Sequence, residues 1–512
     1  MAGHPLGREE LALSRRGLFA AAGGVALALP ISNAHASSGG KLRVGIVGGG
    51  SKETLDPHQA VSEMDIARSR CLFENLTDYA PDGAIVNRLA SGFSANKSAT
   101  VWKIKLRNGV KFHDGSALTA DDVVFSLRRI TNPKNKLQGA GDLPFLKPSA
   151  IRKLDASTVE LRLTQPIADL RTPLAARAVQ IIKSGTTSFD KPNGTGPFQL
   201  ISFQRGQRSK LGPFKGYRVH NGPKLDELTL ISIDDSGARA NALVGGQVDA
   251  IVNLDAKLVP TVSGNSKLRV LQTKTGGYTP QTMLVTAAPF TDVRVRQAFR
   301  LMIDREQIVQ NALGGFGTIG NDLASPYDQD FAHLPQRKYD PEQAKSLLKA
   351  AGQENLTVSL YTSDAAAGML ESSTLIAEQA KKAGVTITLD TVPADSYYSD
   401  KYLKAPFACS QWSQKPLDTQ ILQALDSKAP YNETGWHNAE FDKLTRTARR
   451  TLDAARRKEL YIEAQRMLYD QGGYIIWGFP NLIDAASKRV HGLKSSSARS
   501  LGYYDFLDVT VS

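Results

Sequence analysis

Apolar residues along this chain fall into short runs of two kinds, some alternating with polar positions and some recurring at helical spacing. In "TVWKIKL", Trp102, Ile104 and Leu106 alternate as in a half-buried strand. Asn108-Gly109 follows, and Val110 and Phe112 resume the alternation, so the spacing predicts a hairpin. "LTADDVVFSLRRI" predicts a helix: Thr119 stands at the N-cap, Asp122 three residues on completes a capping-box arrangement, and Val123, Leu127 and Ile130 share a face. "TVELRLTQP" predicts a strand ended by Pro166. In the second half, Val295, Ala298, Phe299 and Met302 trace a helical stripe. "DPEQAKSLLKAAG" has Asp340 as cap, Pro341 at the first helical position, an apolar stripe of Ala344, Leu347, Leu348 and Ala351, and Gly352 as stop. Val385, Ile387 and Leu389 alternate as a strand, and Asp453 to Gln471 reads as a long amphipathic helix.

Strand and helix signals alternate in both halves, which places the chain in the α/β class. No repeat and no low-complexity linker is visible, although 512 residues exceed one compact core. The pattern predicts lobes joined by several short crossings.

Residues 1–36 change the picture of compartment. Arg15 and Arg16 follow Ser14, a modest apolar run comes next, and "AHA" supplies a small-x-small site. This predicts a twin-arginine secretory signal cleaved after Ala36. The run from 17 to 31 is too short and rich in Gly and Ala to span a bilayer comfortably. No cysteine follows the site for lipid attachment, so a free periplasmic protein is expected. Formal net charge is +13; removing Arg8, Arg15, Arg16, Glu9 and Glu10 leaves +12. The basic residues are scattered, without a long run or interleaved aromatics, so no nucleic-acid partner is expected. They read as a solvated surface that helps attract anionic solutes. Cys71 and Cys409 stand 338 positions apart and match no metal spacing; two free thiols are expected.

Catalytic signals are thin. The eight histidines are dispersed with no HExxH, there is no G-x-S-x-G elbow, and "GGFG" has no Walker lysine. Asp121–Asp122 and Asp234–Asp235 read as helix-start and loop charges. The stretch "KLRVGIVGGGSKETLDPH" invites a dinucleotide-binding reading. Gly48 and Gly50 fit its first two glycine places, but Glu53 occupies the third, and Pro57 discourages the helix that must follow. No catalytic residue, metal or cofactor is therefore expected. The alternative, an exported flavin-type enzyme, is distinguished by its visible absorption.

That same stretch resembles the start of the extracellular solute-binding proteins of peptide/nickel ABC importers, the oligopeptide- and dipeptide-binding family. The "LDPH" turn (Leu55 to His58) leads into "LFENLTDY", and further blocks follow in order: "PDGAIVNRLASGF", "VWKIKLRNGVKFHDGSALTADDVVFSLRRI", "NGTGPFQL", "GGQVDAI", "PFTDVRVRQAFRLMIDREQIV" and "GWHNAEFDKL". They span some 400 residues. The resemblance implies a two-lobed periplasmic-binding-protein fold (type II-like, cluster C) with an inserted subdomain. It places lobe I at 37–85, 195–274 and 488–512, the inserted subdomain at 86–194, and lobe II at 275–487. It implies a monomer that closes on a small molecule or short peptide and hands it to ABC permease subunits.

The resemblance also marks candidate ligand contacts. Trp412 in "FACSQWSQKPLDTQ" matches an aromatic that lies alongside the ligand, with Ser413 beside it; as a single aromatic at a strand end it also fits a core. Where peptide-binding members place an aspartate for the peptide ammonium, this chain has Lys415, which would pair with a carboxylate, phosphate or sulfate. The other reading has Lys415 in solvent and Asp418 taking the amine. Val61, Ser62 and Glu63 follow the LDPH turn where relatives run backbone beside the ligand; Glu63 equally suits a helix start. Tyr278 and Trp477 are candidates for the cleft or for the core.

Overall fold

The computed structural model describes residues 39–512 apart from 82, 221, 367, 495, 497 and 498. The predicted signal lies outside the described residues. Leu42, Val44 and Ile46 are fully buried on the strand Lys41–Ile46, which runs parallel to Glu227–Ser232 on one side and Ala250–Ile251 on the other. They belong to a seven-stranded sheet in the order 268–273, 482–487, 250–251, 41–46, 227–232, 208–213, 198–204. Distant parts of the chain thus share one sheet and one core, in which Leu228, Leu230, Ala250 and Ala486 pack with the helix Glu63–Leu72.

A separate four-stranded antiparallel sheet joins 90–95, 101–106, 158–163 and 146–155. The helix Ala120–Thr131 covers it, burying Val123, Leu127 and Ile130 in its core. Asp122 accepts from the Thr119 backbone N–H at 2.7 Å and hydroxyl at 2.9 Å, closing the helix start the sequence announces. The predicted 101–112 hairpin does not form. Both edges of Val101–Leu106 are occupied, by 90–95 and 158–163, so no edge remains for Val110 and Phe112. Gly109 turns the chain at φ +74, and the segment instead folds back on 116–118, with Leu118 N–H donating to the Val110 carbonyl at 3.0 Å.

The other lobe is built on a five-stranded sheet in the order 386–391, 357–362, 407–409, 281–283, 474–475. Strands 357–362 and 386–391 run parallel, and the helix Met369–Ala380 connects them as a βαβ crossover. Phe290, Phe299 and Phe407 form an aromatic trio with centroids 5.1–5.5 Å apart. Two segments link the sheets, 274–280 and 476–481. They run side by side, the Thr275 hydroxyl donating to the Pro480 carbonyl at 2.9 Å. Among the described residues no helix is long and apolar enough to cross a membrane.

Candidate functional site

The glycine run after the first strand serves close packing. A Cβ at Gly48 would stand 1.8 Å from Ser232 Oγ, and one at Gly49 2.7 Å from Ser62 Oγ. No α-helix follows; a short 3-10 turn at Gly50–Lys52 leads to Glu53, which is buried against Arg68 at 2.7 Å. The LDPH turn then welds the first lobe to the inserted subdomain. Asp56 accepts from Arg129 of the helix Ala120–Thr131 at 2.6 and 3.1 Å. His58 meets Arg129 Nη1 and the Gln180 carbonyl, each at 2.7 Å.

Between the lobes lie adjoining cavities. Two, of about 90 and 320 Å³, share Tyr79, Arg499 and Tyr503 on the first-lobe side and Gln414, Lys415 and Pro416 on the second. Ser325 completes the smaller, and Asp142 and Arg177 of the inserted subdomain complete the larger. Burial lowers the pKa of the Lys415 ammonium; Asp142 opposes that shift, while Arg177 and Arg499 reinforce it. Neither Lys415 nor Arg177 is hydrogen-bonded to a carboxylate among the described residues. A third cavity, of about 280 Å³, opens between the inserted subdomain and the second lobe, walled by Phe145, Ile167, Leu417 and Leu422. At its edge the lobes touch: Ala168 N–H donates to the Arg449 carbonyl at 2.9 Å, and Gln329 to Asp169 at 3.2 Å.

The loop carrying Lys415 is tied to a lobe crossing. Tyr278 and Trp412 exchange two backbone hydrogen bonds of 2.9 Å, and Gly276 N–H donates to Gln414 Oε1 at 2.9 Å.

The structure brings Ser413 and Lys415 together in the 320 Å³ cavity and sets Asp418 in the 280 Å³ one. Asp418 is engaged there by Arg449 Nε at 2.9 Å and by the Tyr461 hydroxyl at 2.8 Å. Trp412 lies just behind the cleft wall, 9% exposed, with its indole N–H donating to Glu433 Oε1 at 2.9 Å. Glu433 is itself buried, and burial raises its pKa; it also accepts from Ser410 at 2.7 Å. Tyr278 is 2% exposed and packs edge-on against Phe479. Trp477 is buried with its N–H on the Thr279 carbonyl at 2.9 Å. Val61 is exposed, Ser62 caps the helix Glu63–Leu72 by accepting from Asp65 N–H at 3.1 Å, and Glu63 receives the Tyr504 hydroxyl. These three line none of the cavities just described. Sequence reasoning missed Asp142, Arg177, Ser325 and Tyr503, which come from separate segments with no local motif, and did not single out Tyr79 at the end of "LFENLTDY" as a cleft residue.

Two lobes on separate sheets, two crossings and a polar cleft between them define a two-lobed solute-binding protein. The family model of bacterial extracellular solute-binding proteins, family 5 Middle, matches residues 84–432, and the chain belongs to that family. It is the solute-binding protein of an ABC importer. It is 26% identical over 505 residues to the glutathione-binding protein GsiB of Pectobacterium atrosepticum, covering 94% of this chain and 96% of that one. HbpA2 from Haemophilus parasuis shares the fold with a TM-score of 0.82 at 21% identity, covering 92% of this chain and 100% of that one. AgaA from A. tumefacien R10, in complex with agropinic acid, does so with a TM-score of 0.70 at 23% identity, covering 92% and 99%.

Proposed function

We propose that this protein is a periplasmic receptor that captures an anionic, amino-acid-derived solute and delivers it to its permease without altering it. The observation that carries the ligand class is Lys415, a half-buried ammonium in the cleft wall with no carboxylate bonded to it. A desolvated cation of this kind favours a ligand carboxylate over a ligand ammonium. Asp418 is already satisfied by Arg449 and Tyr461, which argues against its serving as the amine anchor. The glutathione of GsiB and the agropinic acid of AgaA both carry carboxylates, which supports the same class.

In this reading residues 1–36 direct twin-arginine export, the mature chain acts as a monomer, and lobe I (37–85, 195–274, 488–512), the inserted subdomain (86–194) and lobe II (275–487) close by hinging at 274–280 and 476–481. Ser413 and Lys415 meet the ligand, and Trp412 backs them. Closure selects the conformation in which both lobes touch the solute. A micromolar ligand supplies about 8 kcal/mol toward that choice.

Thermal-shift and calorimetric screening of glutathione, opine acids and short peptides tests the class. Lys415→Asp should weaken an acidic ligand about tenfold or more, the scale of one lost charge-assisted contact. Unchanged affinity for the acid in that variant contradicts the assignment.

A further inference from the structure

Ser325 combines three features. Its side chain is 2% exposed, and its hydroxyl has no hydrogen-bond partner among the described residues. Its backbone sits at φ +61, in the left-handed region that non-glycine residues seldom occupy. It also stands in the wall of the cavity that holds Lys415. An unsatisfied buried hydroxyl and a strained backbone are each unfavourable, and together they call for a compensating role.

The segment that presents Ser325 is held rigidly. Three residues earlier Asp322, also left-handed at φ +63, accepts two 2.8 Å bonds from Arg305 and one of 3.0 Å from Arg337. Its carboxylate takes the Ile476 N–H as well, at 3.1 Å. On the other side the Ser325 carbonyl accepts from Asp328 N–H at 3.0 Å. The strain is therefore fixed in place by a buried ion-pair cluster with no contact to the cleft of its own.

Across the cleft, Arg177 of the inserted subdomain lines the adjoining cavity with Lys415. It is a guanidinium without a bonded carboxylate, on the opposite side from Lys415. We infer that Ser325, Lys415 and Arg177 form a carboxylate seat: the Ser325 hydroxyl and Lys415 ammonium receive a ligand carboxylate from the second lobe, and Arg177 clamps it from the first-lobe side as the cleft closes. A hydroxyl donor beside an ammonium and a planar guanidinium fork matches a carboxylate, and a neutral ester or amide at that place would leave Asp142, which lines the same cavity, alone to offset the charge of both cations. Arg177 and Ser325 thereby become specificity-determining residues. This rests on the anionic-solute reading above and adds to it the position of the charged group.

Isothermal titration of the mature protein with glutathione, agropinic acid, mannopinic acid and their carboxylate methyl esters tests the seat. For whichever acid binds the wild type, Arg177→Ala should weaken binding about tenfold or more, Ser325→Ala about fivefold, and esterification at the seated carboxylate should remove the effect of either substitution. Arg177→Lys, which keeps charge but loses the fork, should fall between. Wild-type affinity for the acid in Arg177→Ala and Ser325→Ala, with folding verified by circular dichroism, overturns the seat. So does equal loss for acid and ester. A wild type that binds none of the acids yet closes on a neutral or cationic solute overturns the seat and the anionic class, while solute capture itself stands.

Discussion

His58 is fully buried in the turn that joins the first lobe to the inserted subdomain, with one ring nitrogen on a backbone carbonyl and the other on Arg129. Facing a guanidinium donor, Nδ1 accepts, so Nε2 carries the proton and donates to Gln180. Burial lowers its pKa from 6.5 to about 4, and the Arg129 charge adds to that effect. The folded state thus prefers the neutral ring. The stability tied to that preference is fully present above pH 6.5 and is lost as pH falls through about 4. A shift of that size corresponds to about 3 kcal/mol. Wild-type protein should therefore lose about 3 kcal/mol more than His58→Gln between pH 7 and pH 4 in urea titrations. Equal losses would contradict the buried neutral ring. Cys71 and Cys409 are both free and buried, and burial raises both thiol pKa values. Neither should react with a disulfide reagent at pH 8 until the protein is unfolded, when two thiols should titrate.

At the scale of elements, the motif "NGTGPFQL" shows why a glycine stands where it does. A Cβ at Gly194 would lie 1.9 Å from the Leu72 carbonyl oxygen, at the end of the helix Glu63–Leu72. Gly196 N–H donates to that same carbonyl at 2.9 Å. Gly194→Ala forces backbone apart and should cost about 2–4 kcal/mol, read as a lower melting temperature. A melting temperature equal to wild type would show that the contact is soft. Local signals of this kind were legible in the sequence. The cap at Asp340 accepts from the Gln343 N–H, three residues on, at 2.8 Å, as its spacing predicts. The 101–112 hairpin was misread because strand pairing depends on which distant strands claim an edge, and Asn-Gly carries no information about that. The cleft was less legible still. Lys415 stood out only because it departs from its relatives, whereas Arg177 and Ser325 acquire meaning from neighbours more than 80 residues away in sequence. Trp412 suited either the ligand or the core; its indole N–H is held by Glu433, 21 residues on, which no local pattern reveals.

The two lobes are built on separate sheets with separate cores, linked by two short crossings, and they touch where the four-stranded subdomain, with a core of its own, meets the second lobe. In the closure proposed above, a rotation at 274–280 would reach the Lys415 loop through the backbone pairing of Tyr278 with Trp412. Hinging at these crossings is the closure we propose. The most direct test is small-angle X-ray scattering of the mature protein, freed of bound solute, with and without the acid that raises its melting temperature most. The radius of gyration should fall on saturation, and the scattering curve should be that of a more compact particle. An unchanged curve while calorimetry shows the acid bound would contradict capture by lobe closure.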